Sequence, residues 1–335
     1  MPATNRQLLL KSRPKDLISR DNFTSVTAPV PELRDGQALA KVHFLSVDPT
    51  MRIWMSEREG YMPPVGIGEV MRAGGIAQVI ASKNPEFHEG DFVLGLTGFQ
   101  EYVLLGAGEP VPFRKLPQLP GVPLSAFLGT LGMTGITAYF GMTEVGKPKA
   151  GETLVVSAAA GATGSVAGQI GKIHGCRVVG IAGGAEKCAW LTGELGFDHA
   201  VDYKKSGWKQ ELAAACPKGI DIDYENVGGE IMHTVMSRMN PFGRIVLCGL
   251  ISGYSAEDPG MASFGTVLIK RLRVQGFIVL DYAPRFTEAV TQLAQWMLAG
   301  KLKDRQTVVE GLENAPDALA MLFSGGNIGK TVVKL

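Results

Sequence analysis

Thr153-Leu-Val-Val-Ser-Ala-Ala-Ala-Gly-Ala-Thr-Gly164 is the stretch on which the fold turns. Thr153 to Ser157 is an apolar, β-branched run of strand length, and it stops in a cluster of small residues. Ala159-Ala160-Gly161-Ala162-Thr163-Gly164 then has the spacing of a dinucleotide fingerprint, with alanine in the first glycine slot. Gly161 lets the backbone approach a pyrophosphate, and Gly164 lets the helix that begins here pack against the strand. The helix start adds amide donors and a partial positive charge. Alone, such a turn is weak information, because many unrelated helices begin this way.

The next strand, Cys176 to Ile181, runs into Ala182-Gly183-Gly184-Ala185-Glu186-Lys187. A site for NAD carries an acidic side chain at this tip to hold the ribose 2′-hydroxyl. Here the tip is Gly183, followed by Lys187. Taken singly, Lys187 reads as a solvated lysine in a first helical turn, and Tyr203, just past the third strand, reads as packing. Together with a bare glycine tip they read as a point charge and a phenol for an adenosine 2′-phosphate, which a carboxylate would repel. The cofactor implied is NADPH.

Outward from this pair, strands alternate with helices from about Gly129. Strands are expected at Thr153–Ser157, Arg177–Ile181, Ala200–Asp202, Ile220–Glu225, Arg244–Cys248 and Arg273–Val279, with helices at Gly164–His174 and Glu186–Leu195. That alternation is the signature of an α/β, doubly wound parallel sheet. A long helix, Pro284 to Gly300, follows. The first ~125 residues instead show short apolar runs and turn punctuation, with strands at Gln37–Val47, Gly74–Ser82 and Asp91–Leu96. Asn314–Phe323 reads as a short helix and Gly329–Leu335 as a strand that rejoins this β-rich part. The domains expected are therefore 1–128 with 305–335, and 129–304. Asn226-Val-Gly-Gly229 and Cys248-Gly-Leu-Ile-Ser252 close the fourth and fifth strands. Either is good turn chemistry, but both lie at the carboxyl edge where ligands of such sheets collect.

Composition narrows the function. The 335 residues are 45% hydrophobic and 19% charged with a formal net charge of +1, which argues against nucleic acid as a partner. No apolar run reaches the ~18 residues of a membrane span, and the start of the chain lacks the layout of a secretory signal. Cys176, Cys188, Cys216 and Cys248 are far apart and read as reduced thiols of a cytoplasmic protein. No metal is expected. A catalytic zinc needs about three Cys, His or carboxylate ligands. The first part has no cysteine, its His43 and His88 lack spaced partners, and His174, His199 and His233 read as surface residues of the second.

The motifs so far, together with Val47-Asp-Pro-Thr-Met-Arg52, Gly132-Met-Thr-Gly-Ile-Thr-Ala-Tyr139, Tyr224-Glu-Asn-Val-Gly-Gly229, Gln275-Gly-Phe-Ile-Val279, Gly311-Leu-Glu-Asn-Ala-Pro316 and Gly326-Asn-Ile-Gly-Lys330, resemble the zinc-independent medium-chain dehydrogenase/reductases. The similarity is to the branch of leukotriene/prostaglandin reductases and bacterial curcumin reductases, over essentially the whole chain. The resemblance implies a GroES-like β domain, a Rossmann domain, NADP(H), and reduction of a carbon–carbon double bond conjugated to a carbonyl. Zinc-using relatives carry Gly-His-Glu where this chain has Ile67-Gly68-Glu69.

By matching motifs, Gly161, Ala162, Thr163 and Gly164 would hold the pyrophosphate, and Lys187 and Tyr203, beside Gly183, the 2′-phosphate. Asn226, Cys248, Gly249, Leu250, Ile251 and Ser252 would line the cofactor groove. Phe277, Ile278, Val279 and Asn327 would flank the nicotinamide half, with Met133 near the ring. Reduction of an enone builds negative charge on its oxygen, which needs a donor. Tyr254 stands where the family has a tyrosine, and a phenol stays protonated at neutral pH. The nicotinamide ribose hydroxyl is a second donor. Two departures bear on the substrate: Thr50 replaces a family tyrosine and Ser255 an asparagine, and Tyr61, Met62 and Tyr282 are candidates to restore aromatic surface. The resemblance also implies a homodimer, and Arg273–Val279 is apolar enough to pair at a sheet edge. NADPH-dependent quinone reduction and non-catalytic NADPH binding remain open as alternatives.

Overall fold

The computed structural model describes residues 4–58, 60, 62–109, 111–117, 119–254 and 264–335. The chain forms two compact units, Met1–Leu128 with Gln306–Leu335, and Gly129–Arg305.

Unit one begins with β1 (Thr4–Leu10) and β2 (Phe23–Pro29), paired antiparallel. β1 is not among the strands expected above. On the face opposite to Leu8 and Leu10, Asn5 is buried, and its amide donates to Gln100 Oε1 and to the Tyr102 carbonyl, both at 3.1 Å. Both faces of the strand thus hold buried residues, with Leu8 and Leu10 entering the core, and no apolar–polar alternation marks it. There follow β3 (Ala38–Ser46), the short helix α1 (Met51–Trp54), β4 (Gly74–Ser82), β5 (Phe92–Leu96), β6 (Tyr102–Leu105) and β7 (Arg114–Lys115). The expected strands near 37–47, 74–82 and 91–96 are thus present as β3, β4 and β5.

Unit two opens with α2 (Met133–Phe140), prolonged by a π-helical turn over Gly141–Gly146. Strands and helices then alternate: β8 (Thr153–Val156), α3 (Ala162–Ile173), β9 (Arg177–Ala182), α4 (Ala185–Gly193), β10 (His199–Asp202), α5 (Trp208–Ala215), β11 (Ile220–Glu225), α6 (Gly229–Ser237), β12 (Met239–Leu247), α7 (Phe264–Lys270), β13 (Arg273–Gly276) and α8 (Phe286–Leu298). The sheet order among the described residues is β10-β9-β8-β11-β12-β13, all parallel. This is the doubly wound Rossmann order, which reverses direction between β8 and β11. The inner strands are buried on both faces, so they read as continuous apolar runs.

Several boundaries differ from expectation; β12, for one, begins at Met239 and not at Arg244. β13 stops at Gly276, short of Val279, because β12, its one partner among the described residues, ends at Leu247 opposite it. Pro284 lies in a 3₁₀ turn over Val279–Arg285, and α8 starts two residues later. Proline lacks the amide that a helix interior uses.

The chain then returns to unit one as β14 (Gln306–Glu310), α9 (Ala315–Ser324) and β15 (Lys330–Lys334). β15 runs parallel to β14 on one side and antiparallel to β3 on the other, so this segment is part of the β-rich unit's sheet.

Candidate active site

The six strands of unit two among the described residues are parallel, so the loops after them gather at one edge. The turn after β8 and the turn after β11 flank the switch point, where ligands of such sheets bind. At the first, Ala158 takes a left-handed conformation (φ +46°). Gly161 caps α3, and its amide donates to the Ala158 carbonyl at 2.9 Å. A Cβ on Gly164 would lie 2.5 Å from that same carbonyl oxygen. Glycine is therefore required for the helix to start this close to the strand. Ala162 and Thr163 are half-buried in the helix's first turn.

At the tip of β9, a Cβ on Gly183 would sit 2.9 Å from Lys204 Cε and 3.0 Å from Tyr203 Cε1. The bare glycine thus leaves a cradle walled by a phenol and by Lys204, a lysine with no local sequence signal. Burial, and then the charge of Lys204, hold the Lys187 ammonium below its ordinary pKa. The nearby acids are directed elsewhere. Asp202 is buried, and its Oδ1 accepts the amides of Gly184 at 2.9 Å and Lys204 at 3.1 Å. The Gly184 bond leads in pulling its carboxyl below the usual range, against the effect of burial. Glu186 is exposed and pairs with Arg305 at 3.3 Å. Two cations, a phenol and a cradle that any Cβ would fill suit a phosphate, and the residues fit the 2′-phosphate half of NADPH.

The end of β11 is tied to the end of β8. Ser157 Oγ donates to Glu225 Oε1 at 2.7 Å, and Asn226 Nδ2 donates to the Ser157 carbonyl at 2.7 Å. Glu225 Oε1 also accepts the amides of Val227 and Gly228. The expected groove-lining residue Asn226 thus has its side-chain amide engaged with the neighbouring strand. Two residues earlier, Asp223 is fully buried, with neither oxygen meeting a hydrogen-bond partner among the described residues. Burial first, then the Glu225 carboxylate, push its pKa well above the ordinary range.

After β12, Cys248 and Gly249 donate their amides to the Glu225 carbonyl, and Ser252 donates to that of Val227. The loops after β11 and β12 are therefore one assembly. Burial pushes the Cys248 thiol up to about 11, so it stays neutral. Ile251 begins a 3₁₀ turn that ends at Tyr254. This turn folds the tyrosine back over the loop, and its phenol oxygen accepts the Leu250 amide at 3.4 Å.

Met133, the first residue of α2, is 47% exposed. Beyond β13, the Phe277 ring meets Tyr282 edge-on, while Ile278 is exposed and Val279 half-buried. Tyr282 stacks on Phe140 at 4.5 Å, so its ring is committed to packing within unit two. In unit one, the Asn327 amide donates to the Gly329 carbonyl at 3.1 Å. Met62 packs against the unit-one core. Tyr61 and Ser255 lie outside the described residues.

The Asp48–Arg52 segment is pinned in unit one. Buried Lys330 donates to the Val47 carbonyl and to Asp48 Oδ1, and buried Arg52 donates to the Pro14 carbonyl at 3.0 Å. Thr50 precedes the first turn of α1. Among the described residues no group of three or more His, Cys, Asp or Glu converges as a metal site.

Comparison with known proteins agrees with this layout. Residues 6–112 match the family model described as the N-terminal domain of oxidoreductase, and residues 162–297 the one described as zinc-binding dehydrogenase. The chain is 44% identical over 338 residues to an NADPH-dependent curcumin reductase of Escherichia coli, covering 99% of this chain and 97% of that protein. It is 40% identical over 342 residues to an NADP⁺-dependent 2-alkenal reductase of Nicotiana tabacum, covering 98% and 97%. A crystal structure of CurA from Vibrio vulnificus in complex with NADPH is 44% identical and superposes with a TM-score of 0.92 over 98% of each chain. The chain therefore belongs to the medium-chain dehydrogenase/reductases, in the zinc-independent branch that holds the curcumin and 2-alkenal reductases.

Proposed function

We propose that this protein is an NADPH-dependent reductase of carbon–carbon double bonds conjugated to a ketone or aldehyde. The observation that carries this reading is the match, at 44% over 99% of the chain, to an NADPH-dependent curcumin reductase. When bound, NADPH supplies the hydride that reduces the β-carbon of the enone. The chain's own residues bind the cofactor, orient the acceptor and stabilise the enolate, which takes a proton from water at its α-carbon to complete the reduction. Gly161, Ala162, Thr163 and Gly164 offer amides and a close approach to the pyrophosphate. Lys187, Tyr203 and Lys204 around Gly183 select the 2′-phosphate. The assembled loop of Asn226 and Cys248 to Ser252 lines the groove, with Phe277 to Val279, Asn327 and Met133 toward the nicotinamide.

Tyr254 holds a proton at its phenol and donates a hydrogen bond to the carbonyl oxygen as negative charge builds there. The fold of its turn over Leu250 supports this role, because the backbone amide of Leu250 orients the phenol oxygen. No metal ligand set accompanies it in the sequence, so the developing charge must be met by hydrogen-bond donors.

We further read the protein as a homodimer using the edge strand β13, a reading supported by the family and testable by sedimentation. Four cysteines without disulfides support a reducing compartment such as the cytoplasm.

The test is a steady-state assay of NADPH oxidation with 2-alkenals, aliphatic enones and a benzoquinone, with product analysis. The expected products keep the carbonyl and lose the double bond. Tyr254→Phe is expected to lower kcat by about 10²-fold. Turnover of the quinone alone would replace this reading with quinone reduction. An unchanged kcat in the Tyr254 variant would remove the tyrosine from its role. NADPH binding without turnover of any acceptor would leave a non-catalytic binding protein.

A further inference from the structure

The residue that opens the glycine turn sits where glycine alone is comfortable. Ala158 has φ +46°, and a non-glycine residue in that region persists only where its surroundings over-determine it. On the following side, Ala159 donates its amide to the Ile181 carbonyl, and the Ala158 carbonyl accepts the amide of Gly161. On the preceding side, every polar atom of Ser157 is engaged. Its amide donates to the Tyr224 carbonyl at 3.1 Å, and its carbonyl accepts Asn226 Nδ2 at 2.7 Å. Its hydroxyl donates to Glu225 Oε1 and accepts the Asn226 amide, both at 2.7 Å. The single oxygen Glu225 Oε1 thereby joins Ser157 to the amides of Val227 and Gly228. Ser157 and Glu225 are both 0% exposed.

A buried carboxylate is a poor general-purpose stabiliser, since a well-packed apolar side chain serves as well or better. What an apolar side chain cannot do is gather three donors from two strand ends onto one atom. We propose that Ser157 and Glu225 are positioning residues for the dinucleotide: their buried network holds Ala158 in its left-handed conformation and so keeps the Ala159–Gly164 turn in the shape that receives the pyrophosphate. The proposal rests on the NADPH reading above. It assigns a task to two residues that, being fully buried, act through the backbone and not by touching the cofactor.

The test is a rescue experiment on the full chain, read by NADPH fluorescence titration. Ser157→Ala removes the linking hydroxyl and is expected to raise the Kd for NADPH about tenfold, with kcat at saturating NADPH unchanged. The Kd for NADH should rise by the same factor, because the pyrophosphate is common to both. Adding Ala158→Gly should restore the Kd to within about threefold, since glycine adopts this conformation unaided. A merely structural weakening of the core would not be repaired by one glycine in the turn.

Glu225→Gln, which keeps the side chain's shape but weakens the shared acceptor, is the second variant should Ser157→Ala fail to fold, with the same rescue expected. Unchanged NADPH affinity in the variant, or failure of Ala158→Gly to rescue it, overturns the proposal. Hydrogen exchange without nucleotide separates the two readings. Faster exchange of the Gly161 amide in the variant supports the network even if the unmodified protein binds no NADPH, a result that would defeat the cofactor reading itself. Equal exchange in variant and parent overturns the network's role.

Discussion

Replacing Asp223 by valine should make unit two more stable, and the gain should grow with pH. The side chain is 0% exposed, and neither carboxyl oxygen has a hydrogen-bond partner among the described residues. Its register neighbours are Val155 on β8 and Ile245 on β12, so valine suits the position in size and strand preference. A buried polar group left without a partner costs about 1–3 kcal/mol. Titration adds to this. Burial and the nearby Glu225 raise the folded-state pKa of Asp223 well above the 3.8 of a free aspartate. The native state therefore keeps a proton that the unfolded chain releases, and stability falls as pH rises from about 4 toward the folded pKa, by up to about 1.4 kcal/mol per pH unit.

Asp223→Asn should remove this slope while keeping the polar burden, and Asp223→Val should remove both. For a unit of this size each kcal/mol moves the melting temperature by about 2–4 °C. Calorimetric melts at pH 5 and pH 8 are the assay. The expected result is a valine variant that melts several degrees above the parent at pH 5 and further above it at pH 8. Equal melting temperatures at both values, or a gain that shrinks with pH, would refute the assignment of Asp223 as an unpartnered, proton-retaining acid.

Three further outcomes concern the cofactor half of the site. Lys187→Ala should weaken NADPH about 10–100-fold while leaving NADH nearly unchanged, as expected for one charge-assisted contact to the 2′-phosphate, and parallel loss of both would relocate the lysine's action. Because burial and Lys204 lower its pKa, NADPH affinity of the unmodified protein should begin to fall with rising pH below the ordinary lysine range. Calorimetric titrations in buffers of differing ionisation enthalpy would detect the proton taken up on binding. Gly164→Ala should weaken NADPH and NADH alike by about 10²-fold, because its Cβ would lie 2.5 Å from a backbone oxygen in the turn that serves both. Comparative Kd values check it.

Much of the Rossmann half was legible because its signals are local. The run Thr153–Val156 with the small residues after it, and the repeat of strand and helix periods, need no knowledge of distant partners. Gly183 was legible as an absence, since a missing carboxylate at a strand tip has a chemical consequence. Lys204 was not, because only the fold of the Asp202–Lys204 turn, fixed by a buried aspartate, turns that lysine toward Gly183. Ser157 and Glu225 escaped notice for a related reason. They lie 68 residues apart, and nothing in either segment announces that the two strands are neighbours. β1 shows no alternation because Asn5 is buried on one face and Leu8 and Leu10 on the other, and β13 is shorter than its composition suggests because the end of β12 sets its length.

The position of β15 has a consequence for how the protein is made. It lies between β14 and β3, yet the ribosome reaches it about 200 residues after Leu128, roughly 10–40 s later at ordinary rates of synthesis. Throughout that interval β3 offers the backbone of Phe44–Ser46, later covered by β15, to any strand that approaches. Unit two, continuous in sequence, is free to close meanwhile. The nascent protein thus matures in the reverse of its reading order, the nucleotide-binding half first and the opening half last, with an adhesive edge that only its own closing segment is built to cover.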